Sequence, residues 1–176
     1  MDAYNILWAD LVTLKRHWSR YLITTLMSPL LYLVAFGWGL GRSINLNGTS
    51  YLEFVIPGII ALTAMTTSFN GASTRLNVDR LYYKSFDECL MAPIGLPSML
   101  MGKAMIGVVR GLMSSFVFIA VAFLIAPTIH IGSPFLVGLL LTCLTFAFLG
   151  VLAALLARSH EDMATFASLI LMPMTF

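Results

Sequence analysis

The chain has 176 residues, 59% of them hydrophobic and 10% charged, with a net charge of +2 and a mean hydropathy of +0.91. Soluble domains carry about 25% charged residues to keep their surface in water, so most of this surface faces something else. The composition predicts an all-α membrane protein. With no basic run and no basic–aromatic interleaving, it offers nothing to a nucleic acid.

The N-terminus carries Asp2 and Asp10 and lacks a short apolar core before a small-residue cleavage site, which argues against a cleaved signal peptide. Over residues 1–19, Tyr4, Leu7, Trp8, Leu11, Leu14 and Trp18 share one helical face, while Asp2, Asn5, Thr13 and Arg16 fall elsewhere. This pattern predicts an amphipathic helix in the membrane interface, with Lys15 snorkelling out of its apolar face. A simple anchor and an elbow that moves with the first span both fit it.

The windows Tyr21–Gly41 and Phe54–Thr74 hold no charge. Each reaches ~31 Å as a helix, the thickness of the hydrocarbon layer, which predicts spans at 21–41 and 54–76. After Arg110 the chain is uncharged from Gly111 to Ala157, and Pro127, Gly132, Ser133 and Pro134 divide that stretch. A third span is expected at 99–125 with Arg110 inside it, and a fourth at 135–157. The apolar run from Met163 to Phe176 reaches only ~21 Å and is expected to be the start of a fifth span. Alternate numbering of the loops puts Lys15, Arg16, Arg20, Arg75, Arg80, Lys84, Lys103 and Arg158 on one side and Arg42 alone on the other. By the positive-inside rule the N-terminus and the loop from Arg75 to Lys103 are cytoplasmic.

That loop contains Ser85-Phe86-Asp87-Glu88, a capping box in which Ser85 caps the Glu88 amide and Glu88 returns the bond. A short helix through Leu90 or Met91 is expected, ending before Pro93, with Asp87 and Glu88 favourably placed on its dipole. Tyr82, Tyr83, Phe86, Leu90 and Met91 give it an apolar surface. Docking to a soluble partner and packing on the chain's own bundle both fit.

Within the second span Thr63, Thr66, Thr67, Asn70 and Thr74 recur at helical spacing as a polar stripe. Such a stripe lines a substrate path or mediates ordinary helix packing. Gly37-x-x-x-Gly41 and Gly107-x-x-x-Gly111 favour close helix contact. Arg110, inside a span, costs ~2.5–3.5 kcal/mol on insertion scales and is a site candidate by that cost. Lys103 lies only seven residues away, so snorkelling to the cytoplasmic face is the alternative.

Catalytic chemistry has no foothold. Gly102-Lys103 has Pro97 where a phosphate-binding loop needs glycine and Ala104 where it needs Ser or Thr. No Ser/His/Asp or His-Glu-x-x-His arrangement is present. Cys89 and Cys143 lie far apart, and His17, His130 and His160 lack ligand spacing, so no disulfide framework or metal site is expected. Asn47-Gly48-Thr49 fits a glycosylation sequon, a pattern short enough to arise by chance.

Four stretches together resemble the permease subunits of ABC-2 type exporters. Phe54-Val-Ile-Pro57-Gly58 resembles the family's aromatic-x-x-Pro-Gly opening of its second span. Glu88-Cys-Leu90-Met-Ala-Pro93, followed by Gly102-Lys103, resembles its loop and the start of span three. Val109-Arg110-Gly111 resembles the branch that includes nodulation lipo-oligosaccharide and daunorubicin-type drug exporters. Ala157-Arg-Ser-His-Glu161-Asp162, leading to Pro173, resembles its short fourth loop and following helix. Two positions differ: Phe86-Asp87 stands where Gly-Thr is common, and Asp79-Arg80 replaces an Arg-Glu pair.

The resemblance implies a six-span helical bundle in the plasma membrane (the bacterial inner membrane), of which this chain supplies the amphipathic helix, four complete spans and the start of the fifth. It implies that Ser85–Met91 is a coupling helix seated in a separate ABC ATPase subunit, with ATP and Mg bound by that partner and no cofactor by this chain. Residues 1–19 would be an elbow helix, and two permease copies would pair, with an amphipathic or lipid-linked molecule exported between them. Two other classes fit the sequence less well. A membrane-embedded lipid-modifying enzyme needs clustered polar groups at one depth, where the sequence offers only Arg110. An ion-coupled carrier needs intramembrane carboxylates, and every Asp and Glu falls outside the expected spans.

Overall fold

The structure is a computed structural model, and it describes residues 8, 11–12, 14–15, 18–39, 45–46, 49–83, 91, 95–125 and 132–175. Five helices run in chain order: α1 (Trp18–Gly39), α2 (Tyr51–Leu81), α3 (Leu96–Ile125), α4 (Ser133–Leu156) and α5 (His160–Thr175). Between α1 and α2 lies a minimal antiparallel ladder, β1 (Asn45–Leu46) with β2 (Thr49–Ser50). The bundle is otherwise helical, so this ladder is the one departure from an all-α chain among the described residues. Asn47-Gly48, the sequence between the two strands, is a strong hairpin signal that the sequon reading passed over.

Among the described residues three helices are long and apolar enough to cross a membrane: Phe54–Leu81, Pro97–Leu124 and Ser133–Leu156. They overlap the segments expected as the second, third and fourth spans. The first expected span, 21–41, falls on α1, whose apolar stretch Ile23–Ala35 is shorter. The expected fifth segment is α5, 16 residues long. Most of the expected amphipathic helix lies outside the described residues; of its apolar face Trp8 is exposed and Leu14 buried.

One boundary differs in a way that matters. The positive charges of Arg75 and Arg80 suggest the opening of a loop, but α2 continues through them to Leu81. A helix does not stop where a bilayer does. Seven further residues extend it ~10 Å beyond Thr74, so a charge can follow an apolar window without ending the helix. The start of α3 at Leu96 likewise carries Gly102 and Lys103 inside the helix rather than at its beginning.

Helix α2 is the centre of the bundle and touches each of the other four. It runs antiparallel to α3, as the pairings of Asp79 with Lys103 and of Gly71 with Arg110 require. Helix α4 is parallel to α2, with Gly150 on Phe69 and the α4 C-terminus beside Arg80. Ile56, Ile60, Phe69, Leu76, Ile106 and Phe118 are fully buried between these helices. The outward faces of α1, α3, α4 and α5 are apolar, with Ile23, Leu31, Leu124, Leu152 and Leu169 all exposed, as lipid contact demands.

Close approach is made possible by glycine. A Cβ added at Gly107 would lie 2.7 Å from both Ala72 Cβ and the Ser68 carbonyl oxygen, and one at Gly150 would lie 2.6 Å from the Phe69 carbonyl oxygen. At Gly111 it would collide with Ser68 Oγ. The Gly107-x-x-x-Gly111 motif thus faces α2 across a backbone-to-side-chain seam. Gly37-x-x-x-Gly41 extends outside the described residues. Gly138, by contrast, has open space where its Cβ would be. We expect Gly107→Leu to destabilise the bundle by ~1–3 kcal/mol through overpacking. Gly138→Leu should stay within about 0.5 kcal/mol of the parent. Thermal unfolding of both variants in detergent tests this, and equal melting temperatures would show that the seam is loose.

Candidate functional site

A groove of about 960 Å³ lies between α1 and α2 and reaches Arg110 on α3. Its lining comes from Tyr21, Thr25, Pro29 and Tyr32 on α1 and from positions three or four apart along α2, from Phe54 to Thr74. From Phe54 to Thr74 the helix rises ~30 Å, the full hydrocarbon depth. All six residues singled out as a candidate path, Thr63, Thr66, Thr67, Asn70, Thr74 and Arg110, lie on its wall. They were chosen from two helices by polarity alone, and the fold brings them to one hollow.

The six are not equivalent. Thr63 Oγ1 donates to the Ile59 carbonyl at 2.7 Å, and Thr66 Oγ1 donates to that of Leu62 at 2.8 Å. These hydroxyls are engaged by their own helix, the usual resting place of a threonine in an apolar span. Asn70 and Thr74 are exposed to the groove, and their side chains are free to bind. The groove is therefore graded. Tyr32, Phe54, Val55, Ile59 and Leu62 make one end apolar, and Tyr21, Thr67, Asn70, Thr74 and Arg110 make the other polar.

Arg110 is positioned by packing. Its stem crosses Gly71, where an added Cβ would lie 3.0 Å from Arg110 Cδ. Its guanidinium lies over the Tyr21 ring, 5.4 Å from the centroid, a cation–π stack between α1 and α3. Its Nε is buried without a hydrogen-bond partner. A second, smaller hollow of about 320 Å³ lies on the far side of Asn70 and Thr74, against His160, Met163 and Ala164 of α5.

At the charged end of the bundle the helices are tied together by groups the sequence reading did not connect. Lys103 Nζ donates to Asp79 Oδ2 at 2.6 Å, with both side chains largely buried, and Arg75 Nε lies 3.7 Å from Asp79 Oδ1. Arg80 Nη1 is within hydrogen-bond distance of the Ala154, Leu155 and Ala157 carbonyls, at 3.1, 2.7 and 3.1 Å. It caps the C-terminus of α4, where a cation also meets the negative end of the helix dipole. Helix α5 opens on a capping box: Asp162 N donates to Ser159 Oγ, and Asp162 Oδ2 accepts from Ser159 N. His160 Nδ1 pairs with Asn77 Oδ1 at 3.1 Å.

Among the family-like positions, Phe54 and Gly58 line the groove and Pro57 lies inside α2. Gly102 is buried on α3, one residue before Lys103. Of the expected coupling helix, Ser85, Phe86, Asp87, Glu88 and Leu90, with Pro93 beyond it, lie outside the described residues. Met91 is helical and exposed.

The family model described as ABC-2 type transporter matches residues 3–176. The chain belongs to the ABC-2 type transporter family. It is 26% identical to the "Inner membrane transport permease YadH" of Escherichia coli (strain K12) over 178 residues, covering 99% of this chain and 69% of that protein. It is 27% identical over 164 residues to "Nodulation protein J" of Bradyrhizobium diazoefficiens, covering 88% of this chain and 60% of that protein. It is 26% identical over 175 residues to the "Daunorubicin resistance ABC transporter permease protein DrrB1" of Streptomyces coeruleorubidus, covering 97% of this chain and 60% of that protein. These are members of the branch that Val109-Arg110-Gly111 resembles. No solved structure matches this ABC-2 chain.

The buried ion pair makes a sharp test of the charged end. Asp79→Leu leaves Lys103 buried without its acceptor and should cost ~3–5 kcal/mol. Lys103→Met should cost less, because Arg75 stays beside Asp79, and the double variant should recover most of the loss. Denaturation of the three variants measures it; additive losses in the double variant would show that the two groups do not interact.

Proposed function

We propose that this chain is the membrane-spanning subunit of an ATP-driven exporter in a bacterial inner membrane. It moves an amphipathic or lipid-linked molecule outward along the α1–α2 groove. The observation that carries this reading is the grading of the groove, apolar at one end and polar at the other, over the thickness of a bilayer. Such a wall can hold both parts of an amphiphile, which a uniformly apolar packing seam does not need. Family membership supports the transporter class, and the names of the relatives support a permease role.

In this reading the N-terminus and the loop after α2 are cytoplasmic, and α1 to α4 all cross the bilayer. Two permease copies pair, and each engages a separate ATPase subunit that binds ATP and Mg. The segment Ser85–Met91 is the coupling helix. Its capping box gives the partner a rigid short helix to push on, and the exposed Tyr82, Tyr83 and Met91 flank it with apolar surface.

Two experiments separate path from coupling. Gly58 faces the groove with open space around it, so Gly58→Trp should fill the apolar end without unfolding the bundle. Export should fall about tenfold or more while ATPase binding persists; undiminished export would remove the groove from the path. Glu88→Arg and Ser85→Pro should abolish co-purification with the ATPase subunit. Retained binding in both would count against the coupling helix.

A further inference from the structure

We propose that the polar end of the groove is a seat for the anionic head of a membrane amphiphile, with Arg110 as its counter-charge. This deepens the groove reading above and rests on it. Arg75 and Lys103 stand against Asp79, and Arg80 grips the α4 carbonyls. Arg110 differs. Among the described residues it has no carboxylate partner; its guanidinium instead meets the Tyr21 ring, and its Nε is buried without an acceptor. The Tyr21 ring lies on one side of the guanidinium, and the N–H donors of an arginine point outward in the guanidinium plane, the direction from which an oxyanion is bound.

The surroundings suit the same ligand. Asn70 and Thr74, on the same groove wall, add hydrogen-bonding groups at that end. Gly71 between them leaves room for the arginine stem, since a Cβ there would lie 3.0 Å from Arg110 Cδ. Arg110 lies seven residues along α3 from Lys103, ~10 Å deeper than the charged end, so the head is drawn below the level of ordinary head groups. The apolar end of the groove, past Leu62 to Phe54, accepts the tail. An uncompensated cation in an apolar hollow is complementary to an anion carried on an apolar body, and a free phosphate would leave that apolar end unfilled.

The test is lipid retention by the purified permease in nanodiscs, read by native mass spectrometry. The probes are phosphatidic acid, phosphatidylcholine of the same acyl chains, and inorganic phosphate. The parent protein should retain phosphatidic acid over phosphatidylcholine by about tenfold, the effect of one charge-assisted hydrogen bond. Arg110→Gln should bring that ratio near unity. Asn70→Leu with Thr74→Val, at exposed positions that folding tolerates, should reduce it severalfold. Gly58→Trp should abolish retention of both lipids. An unchanged ratio in Arg110→Gln or in the double variant overturns the proposal. So does an unchanged ratio in Gly58→Trp, because Arg110 would then touch only the surrounding bilayer. Displacement of phosphatidic acid by an equal concentration of inorganic phosphate overturns the amphiphile as occupant. Export blocked by Gly58→Trp with the ratio intact in Arg110→Gln leaves the path standing and removes the anion seat. A ratio lost in Arg110→Gln with export unaffected by Gly58→Trp supports the seat and removes the path.

Discussion

The architecture depends on how closely α2 can approach α3 and α4. In lipid the hydrophobic effect does not draw helices together, because tails are as apolar as leucine; close van der Waals packing at small residues does that work. Gly107, Gly111 and Gly150 bring two backbones onto the Ser68–Ala72 region of α2. A helix clasped on those sides keeps its remaining face for α1, and that contact is far less extensive. The groove is the space left where α1 does not close down. Site and core are thus two sides of one helix, and the tightness of one permits the looseness of the other.

The polar groups sort by the same logic. Where α2 is clasped, hydroxyls lie fully buried, as at Ser68 and Ser73, and on the groove wall Thr63 and Thr66 turn back onto their own helix. Where it is uncovered, Asn70 and Thr74 remain available. Charge is handled separately, at the end where α2 outruns the apolar layer. There Arg75 and Lys103 share the Asp79 carboxylate and Arg80 meets the α4 carbonyls, which lets a charged helix end sit against two neighbours.

Much of this was legible before any coordinates. A threonine–asparagine stripe and a lone arginine stand out in windows otherwise free of polarity, so Thr63 to Thr74 and Arg110 could be named from the sequence. Apolar length set the spans for the same reason. The capping box at Ser159 and Asp162 was readable too, but it was passed over as part of a loop. The ties at the charged end were not legible. Asp79 and Lys103 meet only because α2 and α3 run antiparallel in one register, and Arg80 reaches α4 across 74 to 77 positions of sequence. The charge at Arg75 ends an apolar window but not the helix, and polarity alone cannot tell these apart.

The grip of Arg80 on the last carbonyls of α4 has a mechanical meaning. With Asn77 holding His160 at the head of α5 and Asp79 holding Lys103 on α3, the end of α2 from Asn77 to Arg80 is fastened to three other helices. On the proposed reading, a shove delivered just after Leu81 would meet no slack there, and the four fastened rods would turn as one block. Helix α1 is outside that fastening, so its border with α2 would be the seam to yield first. A hollow placed there would widen and narrow with each stroke.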